Sequence, residues 1–177
     1  MTLGDGKRKV CKLLDEYGFG GSVDEDLDAK MNDFFNMAQI KVAKISRILR
    51  TVSLSGEGSH PMPRDFLAVQ RIWKNGRNVT NKCRWRGGEL VLGRGESLEL
   101  DYYAVPKTID EDTGDEWEFE VREDACEAMT LYVAGLALSA DLVQDAQIYF
   151  DLYAEAEKNL SSLLPGESHR VRNSLFG

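Results

Sequence analysis

Apolar positions along this chain change period twice. From Asp5 to Tyr17, Val10, Leu13, Leu14 and Tyr17 share one helical face, and Gly18 ends the pattern. After the Gly20-Gly21 joint, Ser22 and Glu25 stand at capping-box spacing. They open a long stripe of Leu27, Met31, Phe34, Ala38, Val42, Ile45, Leu49 and Val52, with Lys30, Lys41, Lys44, Arg47 and Arg50 on other faces. The Gly- and Ser-rich stretch Ser53 to His60 reads as a loop, and Pro61-Met62-Pro63 blocks any further helix. From about Pro63 to Val105 the period becomes two, which predicts strands. Asn75-Gly76 and Gly87-Gly88 are turn pairs between them. Cys83 and Trp85 alternate with Lys82, Arg84 and Arg86, giving one apolar and one basic face. Leu98, Leu100, Tyr102 and Ala104 line one side of the last strand.

Helical spacing returns after an acidic connection, Lys107 to Glu118. Glu123 and Asp124 suit the positive end of a helix dipole. The helix they begin carries Ala125, Ala128, Ala134, Gly135, Ala137 and Ala140 on several faces, so close neighbours on more than one side place it at the centre. Ala146, Tyr149, Tyr153, Ala156, Leu160 and Leu163 stripe a last helix, which Pro165-Gly166 ends. The pattern predicts an α+β fold: a bundle of about four helices (5–17, 22–52, 122–140 and 142–164) with an antiparallel β-meander insert of about four strands (63–105). One domain spans 1–164 and a flexible C-terminal tail spans 165–177.

Charge sharpens the picture. The 177 residues carry a net charge of −8, which argues against general duplex-DNA binding. The charge is uneven. Arg71, Lys74, Arg77, Lys82, Arg84 and Arg86 cluster in the strand region, and Asp110, Glu111, Asp112, Asp115 and Glu116 in the connection. That asymmetry favours complementary contacts between copies or with a partner. Three widely spaced cysteines, Cys11, Cys83 and Cys126, and an N-terminus without an apolar signal core point to reduced thiols in a cytosolic setting. The longest apolar run, Ala128 to Leu138, is too short for a membrane span.

No catalytic constellation emerges. His60 and His169 are far from any cysteine, so no zinc spacing exists. Asp110-Glu111-Asp112 lacks the alternation and the glycine of a calcium loop. There is no Gly-x-Ser-x-Gly elbow, and neither Gly18 to Gly21 nor Gly87-Gly88 has the context of a phosphate-binding loop. The expectation is a non-enzyme without cofactor or metal. One surface stands out: Trp73, Lys74, Arg77, Arg84, Trp85 and Arg86 interleave aromatic and basic residues, which suits stacking on single-stranded nucleic acid. The alternative is that both tryptophans are sheet core and the arginines are solvated or meet an acidic neighbour. The tail mixes Arg170, Val171 and Arg172 with Leu175 and Phe176, a composition suited to ordering on a partner.

Several stretches resemble the small head-to-tail adaptor (connector) proteins of tailed bacteriophages and prophages. They are Met1 to Asp5 leading into Lys9-Val10 and Leu13 to Tyr17; Asp33-Phe34-Phe35-Asn36-Met37-Ala38-Gln39; Arg71 to Gly76 followed by Tyr102-Tyr103-Ala104; and Glu120 to Met129 leading into Tyr132 to Leu136. The likeness covers most of the chain and is one of pattern. It implies a ring, usually of twelve copies, below the portal protein. Genomic DNA would pass through its lumen without sequence-specific binding, and a stopper or tail-completion protein would dock beneath. It places the chain in the virion neck, after assembly in the host cytoplasm, with no membrane partner. It also implies that Ser168, His169, Arg170, Val171, Arg172, Leu175 and Phe176 form a portal-docking segment. The expected subunit interface joins Arg71, Lys74, Arg77, Arg84 and Arg86 of one copy to Asp110, Glu111, Asp112, Asp115 and Glu116 of the next.

Overall fold

The computed structural model describes residues 1–14, 25–140 and 142–162. The expected portal-docking tail, Ser168 to Phe176, lies outside them, as do the Gly20-Gly21 joint and Ser22 of the expected capping box. Within the described residues the fold is α+β. Four helices, α1 (Leu3–Leu14), α2 (Glu25–Ser46), α3 (Glu123–Leu138) and α4 (Val143–Ser162), flank a β region inserted between α2 and α3.

Helix α1 begins with a reciprocal cap. The Thr2 hydroxyl accepts from the Asp5 backbone N–H at 3.1 Å, and Asp5 accepts from the Thr2 N–H at 3.2 Å. Those bonds, with the Asp5–Arg8 ion pair, hold the Asp5 carboxyl below its ordinary pKa. Gly4 and Gly6 let α1 approach closely, since a Cβ would meet Asp115 at 2.9 Å and the Phe35 ring at 2.9 Å, respectively. Helix α3 packs against α1, α2 and α4, as its small residues predict. At Gly135 a Cβ would lie 2.7 Å from the Phe150 ring of α4. The helical core holds Leu3, Val10, Leu14, Met31, Phe35, Val42, Met129, Val133, Leu138 and Tyr153.

The β region departs from the expectation. Helix α2 stops at Ser46, and β1 runs over Ile48–Ser55, inside the stretch expected as helix 22–52. Arg47 turns the chain with a left-handed φ of 56°, which no helix interior accepts. Beyond it Ile48, Arg50, Val52 and Leu54 turn inward, while Leu49 is 55% exposed. The Ser53–His60 loop is also structured, as the end of β1 and as β2 (Gly58–His60). The insert therefore begins at Ile48, not at 63.

Five more strands follow: β3 (Phe66–Lys74), β4 (Arg77–Asn78), β5 (Arg84–Arg86), β6 (Glu89–Leu92) and β7 (Ser97–Ala104), with a 3-10 turn at Thr80–Lys82. All pairings are antiparallel, but the strands form two sheets, ordered β1-β7-β3-β4 and β2-β6-β5, rather than one meander. Strand β7 pairs with β1 along all of β1, a contact across about fifty residues that local pattern does not reveal. Both two-residue turns have left-handed residues at each centre: Asn75 and Gly76 at 49° and 72°, and Gly87 and Gly88 at 59° and 85°. Ile72, Leu90, Leu92, Leu98, Leu100 and Tyr102 form a second core. Ile48 packs on both cores.

Candidate functional site

Of the predicted basic residues, Lys74, Arg77 and Arg84 lie at the end of the β region farthest from the helices, Arg71 stands mid-strand opposite Asp101, and Arg86 stands at the β5–β6 turn of the second sheet. The β1–β7 ladder fixes this: Ala104 pairs with Ile48 beside α2, and Ser97 pairs with Ser55 at the other end, roughly 24 Å away. The β3–β4 turn and the β6–β7 connection lie at that far end, since Trp73 pairs with Glu99. Lys74, Lys82 and Arg84 line one cleft there with Val79, Cys83, Val91, Glu96 and Leu98. Lys74 forms an ion pair with Glu96, and that bond, with the Gly93 N–H, holds the Glu96 carboxyl below its ordinary pKa. Arg71 lies over the Trp73 ring, 5.9 Å from its centroid. Arg77, Arg84 and Arg86 are exposed and form no ion pair among the described residues.

The two tryptophans separate. Trp73 is half-buried and donates its Nε1–H to Asp101 at 2.6 Å. Trp85 is 43% exposed. Arg84-Trp85-Arg86 is a three-residue edge strand, and all three face solvent. The expected apolar face of that strand is therefore reduced to Cys83, whose thiol donates to the Val79 carbonyl.

The acidic connection is anchored rather than freely solvated. Asn36 of α2 imitates a strand toward it: its Nδ2 donates to the Ile109 carbonyl at 2.7 Å and its Oδ1 accepts from the Ile109 N–H at 2.8 Å. Gln39, 1% exposed, donates to the Lys107 carbonyl at 2.8 Å. Farther on, the Leu3 N–H donates to the Trp117 carbonyl at 2.8 Å and the Gly4 N–H to that of Asp115 at 2.9 Å. Trp117 and Phe119 then stack toward Phe35. Between these anchors Asp110, Glu111 and Asp112 line an open cleft with Asp28 and Asp33 of α2. Asp110 is used internally, accepting from the Thr113 hydroxyl at 2.6 Å, and Asp115 lies 3.7 Å from Lys7. Glu111, Asp112 and Glu116 remain exposed. The ten predicted interface residues thus divide between two parts of the molecule, the basic five on the β region and the acidic five on the connection.

A third cluster escaped the sequence. Arg50 on β1 donates to both carboxylate oxygens of Glu120, at 2.7 and 2.8 Å, and to Asp65. The Tyr102 hydroxyl donates to Asp65 at 3.1 Å, and the Lys107 N–H to Glu120 at 2.8 Å. Burial alone would lower the Arg50 pKa, but Glu120 and then Asp65 outweigh it and hold it above its ordinary value. Burial, and then the bond to Asp65, raise the Tyr102 phenol. This clamp ties the root of the β region to the segment entering α3.

Burial raises the pKa of each cysteine, that of Cys126 to about 11, so none is an activated nucleophile. Among the described residues no cluster of three His, Cys, Asp or Glu is placed to hold a metal, and no helix is long and apolar enough to cross a membrane. No protein-family model matches the chain, and no curated protein matches it.

Proposed function

We propose that this chain is a structural adaptor of a tailed-phage neck, assembling with copies of itself into a ring on the portal and working without catalysis. The observation that carries the reading is the separation of unsatisfied charge. Arg77, Arg84 and Arg86 stand exposed on the β region, and Glu111, Asp112 and Glu116 on the connection strapped to α2. Ring assembly requires unlike patches on each copy, because each subunit presents one face forward and another backward. An acidic lumen would also let DNA pass without adhering. The resemblance in the adaptor-like segments supplies the portal and the neck. In this reading the segment Ser168 to Phe176 carries portal binding.

The test is electron microscopy of the chain mixed with its portal. Arg84→Glu with Arg86→Glu blocks ring formation there; unaltered rings would refute the assignment of the basic face. Deletion of residues 167–177 leaves a folded protein that no longer captures portal in a pull-down, and undiminished capture rejects the tail's role. A second reading rests on the exposure of Trp85 between two arginines, which suits base stacking on single-stranded nucleic acid. Tight, salt-sensitive retention of an oligonucleotide in filter binding would favour it over the adaptor.

A further inference from the structure

The adaptor reading leaves one pair of surfaces unused, and the inference drawn from it rests on that reading. Helices α2 and α4 each leave large apolar side chains in solvent: Met37 and Ile40 on α2, 51% and 45% exposed, and Ile148 and Leu152 on α4, 54% and 44% exposed. Each sits within a set at offsets i, i+3, i+4 and i+7, one side of a helix. On α2 the set is Met37, Ile40, Lys41, Lys44, and on α4 it is Ile148, Asp151, Leu152, Glu155; all eight are exposed. One set is apolar, apolar, basic, basic, and the other is apolar, acidic, apolar, acidic. Laid side by side in one direction, they match hydrophobe with hydrophobe at one end and lysine with carboxylate at the other, over roughly 10 Å of helix.

The direction is fixed by the fold. The Arg122 N–H donates to the Ser46 hydroxyl at 3.2 Å, so the end of α2 meets the start of α3. Only a short link joins α3 to α4. Helix α3 packs alongside both α2 and α4, with Tyr132 against Lys41 and Gly135 against Phe150, so the chain reverses at both junctions and α2 and α4 run the same way. Within one molecule the α4 set lies away from α2: the two helices meet where Lys41, at the edge of its set, reaches the Tyr132 and Tyr153 rings, beside Phe150 and Glu157. Subunits related by rotation about an axis along the helices keep a common direction, so α2 of one copy and α4 of the next can lie parallel.

We propose that the Met37/Ile40/Lys41/Lys44 face of α2 docks on the Ile148/Asp151/Leu152/Glu155 face of α4 in a second copy of this chain, and that this helical seam joins neighbours alongside the contact made by the β-region and connection charges. The charged end supplies orientation, and the apolar end supplies the dry contact.

The experiment mixes full-length chains labelled with light and heavy nitrogen at high concentration and low salt. A zero-length carbodiimide, which joins lysine to carboxylate, is added, and mixed-isotope peptides are mapped by mass spectrometry. Lys44–Glu155 and Lys41–Asp151 links between copies are expected. Lys44→Glu removes one reacting amine, so the effect is read at the remaining Lys41–Asp151 link, whose mixed-isotope yield falls about fivefold, the effect of roughly one lost charge pair. Adding Glu155→Lys to the same chain restores it through the reversed pair. Between-copy links confined to Lys74 or Lys82 with Glu111 or Asp112 would overturn the seam while leaving ring assembly standing. An absence of mixed-isotope links, or a double variant no better than the single, would also overturn it. The portal microscopy above judges the adaptor reading independently.

Discussion

Replacing Arg50 by Met tests whether the β region is pinned to the helices or merely attached. The change keeps much of the aliphatic stem and removes three charge-assisted hydrogen bonds, two to Glu120 and one to Asp65. The side chains involved are 26%, 23% and 29% exposed, so the cluster lies between a surface pair and a buried one. Surface pairs contribute about 0–1 kcal/mol, and breaking a buried pair costs about 3–5 kcal/mol. Asp65 left without its cation, and Glu120 left with only the exposed Lys107 ammonium at 3.8 Å, place the loss at about 2–3 kcal/mol. For a chain of this length each kcal/mol moves Tm by about 2–4 °C, so Arg50→Met lowers Tm by roughly 4–12 °C. Urea unfolding followed by circular dichroism gives the number directly. A double-mutant cycle with Glu120→Gln should return a coupling energy of about 1 kcal/mol or more. Losses below about 0.5 kcal/mol, or strictly additive effects, would show that solvent replaces the guanidinium at no cost. Either outcome would end the clamp argument.

Cys126 is fully buried and keeps its proton to about pH 11, so iodoacetamide at pH 8 alkylates the half-buried Cys11 and Cys83 first. Equal rates would refute that placement. Because its folded pKa is raised from 9.0, its contribution to stability is complete below pH 9 and is lost as pH climbs toward 11, by up to about 2–3 kcal/mol, which unfolding at pH 8 and pH 10.5 will separate from the cysteine-free control. Gly135→Ala normally gains about 1 kcal/mol in a helix, but the Phe150 ring stands where the methyl must go. Overpacking of about 1–3 kcal/mol offsets that gain, so urea unfolding shows a neutral or destabilised variant, and a more stable one contradicts the close approach of α3 and α4.

The elements that local pattern revealed were those whose contacts are local or whose periodicity has one reading. Strand β7 alternates Leu98, Leu100, Tyr102 and Ala104 inward, and all four are buried. Asn75-Gly76 and Gly87-Gly88 dictate their own turns. The small residues of α3 announce a helix with neighbours on several sides. The error at 22–52 arose because two patterns overlap there: Ile45, Leu49 and Val52 continue a helical stripe, and Ile48, Val52 and Leu54 form an alternating one. The deciding feature, a left-handed Arg47, has no signature in its residue type. The two-sheet arrangement depends on β1 meeting β7, and the clamp joins Arg50 to residues 15 and 70 positions away. Of the candidate site, exposed charge was legible because arginines and carboxylates rarely go anywhere else. The role of Asn36 was not, since an amide that satisfies a distant backbone looks like any other polar residue on a helix.

The clamp has a consequence for assembly as well as stability. The β region leaves the helices by two chain crossings, one after Ser46 and one before Arg122, and a body so attached would swing unless something fixes its root. Arg50 and Tyr102 grip from inside the sheet, the Lys107 N–H and Glu120 from the returning chain, and the Arg47 guanidinium lies 5.4 Å from the centroid of the Tyr103 ring beside them. The basic end, roughly 24 Å farther along the ladder, therefore holds a defined direction relative to α2 and α4. A surface already held in its bound orientation loses less freedom on association. If the β end and the helical seam engage the same neighbour, loosening the root should weaken ring formation more than the loss of folded protein alone accounts for. If they engage different partners, Arg50→Met should leave self-association of the remaining folded chains intact and weaken only what binds the β end.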